Sequence, residues 1–222
     1  MQCEVCQERN AIRGRIETMS DQNPDATLKR DLEFLYEVGC LRHVPRTWIQ
    51  FFGPRMQNLA EHTVRVTFIA MTIAAKEGIG DLGKIAKMAL IHDIGESRTG
   101  DVHYLSRQFC ERFEEKAIHE LFGGTVLSAE MISLWKECEA KETIEAKIIK
   151  DADNLDVDFE LREQMTHGNP LATHWKEMRE HVYVHKLFTA TAKTMWKEIQ
   201  GSNPHDWHLN ASNRFKAGDW KK

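Results

Sequence analysis

The sequence predicts an all-α fold, a single helical bundle. Three observations carry this. Apolar residues recur at helical spacing, as in Leu82, Ile85, Ala86, Ala89 and Leu90, which is the i, i+3, i+4, i+7, i+8 pattern of one buried helix face. No stretch reads as a strand. The 222 residues are 41% hydrophobic and 29% charged, an ordinary globular composition that can bury a substantial core.

A net charge of −4 argues against a broad nucleic-acid or anionic-membrane surface, while leaving room for a small phosphate site lined by a few cations. No apolar run approaches the roughly 20 residues of a membrane span, and the start MQCEVCQERN lacks the apolar core of a signal peptide. Five scattered cysteines fit a reducing cytoplasm better than a disulfide framework. Cys3 and Cys6 form a lone CxxC without the second pair that a zinc site needs. The expectation is a cytoplasmic protein with no nucleic-acid or membrane partner.

Residues 1–22 are polar and aperiodic and read as a flexible tail, residues 23–200 as the domain, and residues 201–222 as a loosely ordered tail. The first helix is expected from Pro24 to Val38, stopped by Gly39, with Leu28, Leu32 and Leu35 buried. A loop rich in arginine and aromatics follows, LRHVPRTWIQFFGPRMQ. It reads either as a packed surface loop or as a pocket wall, since Arg grips phosphates and Trp stacks on bases. The second helix starts near Asn58, an N-cap with Glu61 at the third position, and runs to Glu77. Its stripes His62/Val66/Ile69/Ile73 and Val64/Phe68/Met71/Ala75 make it a central helix buried on most sides, with His62 inward.

The third helix, Leu82 to Ile94, leads into the densest cluster of reactive side chains, ALIHDIGESRTGD. Extending its apolar face by one turn aims Asp93 at the core, and an unpaired buried carboxylate is costly. The adjacent His92 points to a metal. Gly95 and Gly100 allow Glu96 and Asp101 to turn back toward the same point. Two further helices, Leu105–Phe122 and Val126–Ala140, are split by Gly123 and Gly124. The first buries Phe109, Phe113, Ala117 and Leu121, with Arg112, Glu115 and His119 on its solvated side, whereas His103 lies in the preceding loop. The sixth helix, Lys141–Met165, carries four aspartates. Asp153 shares a face with Ala146, Ile149 and Val157 and is the second inward carboxylate. Asp156 lies at that margin, while Asp151 and Asp158 fall on a polar stripe that reads as solvated. A last helix is expected over His174–Ile199, with His174, His181 and His185 on one side as an interfacial face.

The inward polar set is therefore His62, His92, Asp93 and Asp153. Two imidazoles and two carboxylates suit a divalent ion such as Mn, Co, Fe, Ni or Zn. The order H…HD…D on successive helices, with NLAEHTVRV, IHDIGESRTGD and AKIIKDADNLD around it, resembles the HD-domain phosphohydrolase superfamily, and most closely its 5′-deoxynucleotidase branch. The resemblance spans about residues 31–160. It implies an HD-domain helical bundle and a hydrolase with one divalent metal ion (Mn, Co, Fe, Ni, Zn or Mg) held by His62, His92, Asp93 and Asp153. It makes Glu96 a catalytic acid and Asp101 a second active-site acid. Arg46 and Trp48 match the family's sugar-reading pair, here separated by Thr47. It implies a nucleotide 5′-monophosphate substrate and a homodimer. Arg55, Arg98, Arg107 and Lys150 are further cations that could meet phosphate. Competing readings are a triphosphohydrolase, a cyclic-nucleotide phosphodiesterase or a di-iron oxygenase of the same superfamily, a non-catalytic metal- or nucleotide-binding module, and a helical core with coincidental acids.

Overall fold

A computed structural model describes residues 24–53 and 55–210. The expected tail over residues 1–22, with Cys3 and Cys6, lies outside the described residues, as do residues 211–222. In chain order the elements are α1 (Pro24–Cys40), a 3₁₀ turn (Leu41–His43), α2 (Ile49–Phe52), α3 (Leu59–Lys76), α4 (Leu82–Ile91), α5 (Glu96–Thr99), a second 3₁₀ turn (Ser106–Gln108), α6 (Glu114–Phe122), α7 (Ser128–Ala140), α8 (Ile144–Thr166), α9 (Leu171–His174), α10 (Lys176–His185), α11 (Ala190–Gly201) and α12 (Asp206–Leu209). No strand occurs among the described residues beyond one isolated bridge between Pro45 and Asn58, and among them no helix is long and apolar enough to cross a membrane. The fold is all-α, as expected.

The centre is α3 packed against α4 and α8. Val66, Ile73, Ile85, Met88, Ile148 and Leu155 meet there, all fully buried. A second core joins Phe34, Leu59, Ile118, Leu121 and Phe122 below the α4–α5 turn. α3 begins with the expected capping box: the Asn58 side chain accepts from Glu61 N, and the Glu61 carboxylate accepts from Asn58 N.

Several expectations are corrected. Leu28, Leu32 and Leu35 are exposed, at 59%, 49% and 59%. α1 docks instead through the face of Arg30 and Phe34. Arg30 donates to Gly123 O (3.0 Å) and Glu120 O (2.9 Å) at the end of α6, and Phe34 meets Phe122 at 5.2 Å. Cationic anchoring of open helix carbonyls selected that face. In α3, Val64 and Phe68 are exposed, and the second buried stripe is Thr63, Thr67, Ala70 and Ala74. The helix expected from Leu105 begins only at Glu114, leaving Phe109 and Phe113 exposed. Ala117, Ile118, Leu121 and Phe122 fill the available core there, so no buried face remains for an earlier turn. The long terminal helix is three helices, and its three histidines are exposed.

Asp151 and Asp158, expected in solvent, are 0% and 2% exposed. Each has a specific partner. Arg179 grips Asp158 with two bonds, Nε to Oδ1 at 3.0 Å and Nη2 to Oδ2 at 2.6 Å. Asp151 accepts from Phe188 N, Thr189 N and Thr189 Oγ1, each at 2.8 Å, which ties the start of α11 to α8. Replacing Asp151 with Ala leaves two backbone donors without an acceptor, one of them buried. We expect a loss of about 2–3 kcal/mol in urea unfolding at pH 7. An unchanged midpoint would remove Asp151 from the stabilising set.

Candidate metal centre

The first turn of α3 supplies His62. α4 ends at Ile91, and the turn beyond it presents His92 and Asp93. Gly95 packs in that turn against Ile118, which an added Cβ would meet at ordinary contact distance. After the single turn of α5, Gly100 adopts φ +74°, a conformation other side chains resist, and the chain doubles back to Asp101. Asp153 comes from the second half of the third turn of α8.

His62, His92, Asp93 and Asp153 each offer a donor atom within 4.8 Å of the others. His62 Nε2 stands 3.3 Å from His92 Nε2 and 3.4 Å from Asp93 Oδ2. His92 Nε2 is 3.3 Å from Asp93 Oδ2, and His62 Nε2 is 3.6 Å from Asp153 Oδ1. The opposite ring nitrogens decide what this cluster can be. His62 Nδ1 lies 2.6 Å from Asp156 Oδ2, and His92 Nδ1 lies 2.7 Å from Ala89 O. Both partners are acceptors only, so each Nδ1 carries its ring's proton and each neutral ring turns a lone pair inward. Two lone pairs and two carboxylates converging on one point repel unless a cation lies among them. The donor set therefore fits a divalent ion, with each histidine oriented from behind. A proton is the other cation that fits. Burial and the Arg46 guanidinium oppose charge on His62, but its hydrogen bonds to Asp156 and Asp93 outweigh them and raise its pKa to about 9. Burial likewise disfavours charge on Asp93, yet His92, His62 and Arg46 hold it well below the usual carboxylate range.

Asp156 is fully buried rather than marginal. Besides His62, it accepts from Gln57 Nε2 at 2.6 Å and is paired with Arg65 Nε. Arg65 also binds Glu163 at 2.8 Å and Glu160 at 3.1 Å. The polar positions of α3 and α8 thus form one charge network behind His62.

In front of the cluster opens a cavity of about 130 Å³. Asp93, Asp153, Glu96 and Asp101 line it, together with the cations Arg46, Arg107, Arg112, Lys141 and Lys150. Arg46 is 6% exposed. It lies 3.3 Å from Asp93, 3.5 Å from Asp101 and 3.9 Å from Glu96, acting as a shared counter-ion. Asp101 Oδ2 also accepts from Thr47 N at 2.9 Å. Arg112 Nη1 donates to Glu96 Oε1 at 2.9 Å. Glu96 nevertheless has its pKa pushed up to about 9, first by burial and then by the Asp93 and Asp101 carboxylates.

The remaining expected residues fall as follows. Trp48 does not line this cavity. Its ring meets Trp175 at 4.4 Å, and it borders a small adjoining crevice shared with Arg46 and Phe52. Arg107 and Lys150 line the main cavity, and Lys150 Nζ is 2.7 Å from Asp153 Oδ2. Arg98 is taken up by Glu37 and Glu120, and Arg55 borders a separate surface pocket. His103 is buried against Gln50 Oε1 at 2.9 Å, and His119 is exposed beside Glu115. Sequence reasoning missed Arg112, which it placed in solvent. It also missed Lys141, whose φ of 57° makes it the one described non-glycine residue with positive φ. The early start assumed for α6 hid Arg112, and nothing in the sequence marks Lys141.

Comparison with known proteins is consistent with this centre. The HD domain model matches residues 38–199. The 5′-deoxynucleotidase HDDC2 of Dictyostelium discoideum is 33% identical over 139 residues, covering 57% of this chain and 73% of that protein. The 5′-deoxynucleotidase HDDC2 of Danio rerio is 30% identical over 138 residues, covering 60% and 68%. A solved structure described as a predicted metal-dependent phosphohydrolase from Magnetospirillum magnetotacticum MS-1 aligns with a TM-score of 0.63 at 25% identity, covering 81% of this chain and 94% of that one. The chain belongs to the HD-domain family of metal-dependent phosphohydrolases.

Proposed function

We propose that this protein is a 5′-nucleotidase that removes phosphate from deoxyribonucleoside or ribonucleoside 5′-monophosphates, with His62, His92, Asp93 and Asp153 holding one divalent metal ion. The observation that carries the reading is the pair of inward-facing Nε2 atoms of His62 and His92, 3.3 Å apart, with His92 lining a cavity that also carries arginine and lysine. The HDDC2 relatives, which are named 5′-deoxynucleotidases, support the substrate class.

A bound divalent ion supplies Lewis acidity, neutralising phosphoryl charge and making water a stronger acid. The chain's own residues do the rest. Arg46, already charged and buried among carboxylates, turns toward incoming phosphate, with Arg107 and Lys150 beside it. Glu96, held neutral near pH 7, gives its proton to the departing sugar oxygen as a water oxygen bonds to phosphorus, and the Glu96 carboxylate then takes up the proton that this water loses. Asp101 keeps Arg46 and the Thr47 backbone in register. Trp48 backs Arg46 from the adjoining crevice and forms the wall on the sugar side.

Metal-stripped protein supplied with Mn, Co, Mg or Zn should release inorganic phosphate from a panel of dNMPs and NMPs. No phosphate from any monophosphate, with metal bound, would sink the assignment, and release of triphosphate from dNTPs would replace it. Glu96→Gln should lower kcat by roughly 10²–10⁴-fold with metal content unchanged by elemental analysis. Wild-type turnover in that variant removes Glu96 from the chemistry.

The pH dependence of the metal-free protein has a definite sign. His62 and Glu96 both titrate near 9 when folded, above their ordinary 6.5 and 4.5, so between those values the folded state holds more protons than the unfolded state. Their stabilisation is complete below the ordinary values and is lost as pH rises through about 9. The Tm of stripped protein should therefore fall from about pH 6.5 to about pH 9. Metal-loaded protein should fall less, because the ion takes the place of the His62 proton. Parallel curves in differential scanning calorimetry would argue against a metal at His62.

A further inference from the structure

We propose that Arg112 is the positioning residue for Glu96: it holds one carboxylate oxygen and leaves the other for the reacting group. The proposal rests on Glu96 being the proton-handling acid of the site. Arg112 Nη1 donates to Glu96 Oε1 at 2.9 Å, while Nη2 pairs with Glu114. Glu114 is the first residue of α6, so the guanidinium is clamped between the start of one helix and the start of another, α5, at Glu96. Both side chains are shielded, Arg112 at 15% and Glu96 at 5% exposure.

The second oxygen shows what the clamp is for. Glu96 Oε2 is buried and has no hydrogen-bond partner. Arg46 Nη1 is 3.9 Å away, beyond hydrogen-bond reach. With Oε1 accepting from Arg112, the proton of the neutral acid sits on Oε2, and a buried O–H without an acceptor is costly; Glu96 forms part of the cavity wall. Its missing partner is a group that enters the cavity, a water or the oxygen of a phosphate ester. A planar guanidinium held at both ends fixes the carboxylate plane, which a rotating ammonium cannot do. If Arg112 instead gripped phosphate directly, its loss would raise KM. If it only tied α5 to α6, its loss would lower stability and leave kinetics alone.

The full chain loaded with Mn, assayed on the most rapidly hydrolysed dNMP, separates these roles. Arg112→Ala should lower kcat roughly 10- to 100-fold with KM within about threefold and metal content unchanged. Arg112→Lys should recover only part of the loss, and Glu114→Gln should move kcat the same way by less. A raised KM with wild-type kcat, or unchanged kinetics, overturns the proposal. A thermal-unfolding cycle over wild type, R112A, E96A and the double variant needs no substrate. The double variant should shift Tm by clearly less than the two single shifts together, whereas strict additivity denies the pairing. Wild-type protein inert on every monophosphate counts against the nucleotidase reading, while the cycle still judges Arg112 and Glu96.

Discussion

The bond between His62 Nδ1 and Asp156, 2.6 Å long and fully buried, is the interaction on which the site depends. It assigns the ring's proton to the side away from the cluster and so sets what the other nitrogen can do. It also spans α3 and α8, the two central helices, at the level where their polar residues meet. Sliding either helix by one residue would bring a neighbour of Asp156 opposite His62, and neither Leu155 nor Val157 can accept its proton. The register of the His/Asp cluster and the packing register of the bundle are therefore one constraint.

Charge balance follows from it. Asp156 is held by Arg65 and Gln57 as well as His62, so the proton-accepting carboxylate is compensated from the solvent side of α3. On the cavity side, Arg46 stands among Asp93, Asp101 and Glu96, and Lys150 stands on Asp153. Each carboxylate that faces the cavity has a cation within reach, yet Glu96 is still pushed toward neutrality, because burial and two neighbouring carboxylates outweigh two guanidinium groups. Acids of one site are thereby separated into charged and neutral members by environment alone.

Much of this was legible in the sequence, for a physical reason. Burial of an apolar face is a property of one helix, and the spacing of Ile85, Ala89 and the residues after them was enough to aim Asp93 inward. The Asn58/Glu61 capping box is equally local. Ion pairs are different, because they need a partner whose position only the tertiary fold decides. Asp151 and Asp158 look like a solvated stripe until the Thr189 backbone and Arg179 arrive against them. Arg112 looks solvated if α6 is drawn from Leu105 rather than from Glu114. The face of Leu28, Leu32 and Leu35 looks buried until Arg30 finds the carbonyls that end α6.

Those errors share one direction. Polar side chains judged alone default to solvent and leucines to the core, and both defaults fail where a charged group satisfies several acceptors or donors at once. Arg30 meets carbonyl oxygens that a helix end leaves open, and a bond to a charged donor is stronger than one between neutral groups. That gain, with Phe34 and Val38 packing beside it, favours the docked face although Leu28, Leu32 and Leu35 are left exposed. The same preference builds the site. The cavity in front of His62 and His92 carries arginine, lysine and carboxylates, with Trp135, Cys138, Ala146 and Ile149 of the neighbouring cores forming the rest of its wall. A closed apolar wall would strand the four inward donors, whereas a wall that also carries charge leaves them open to a cation and to anionic groups.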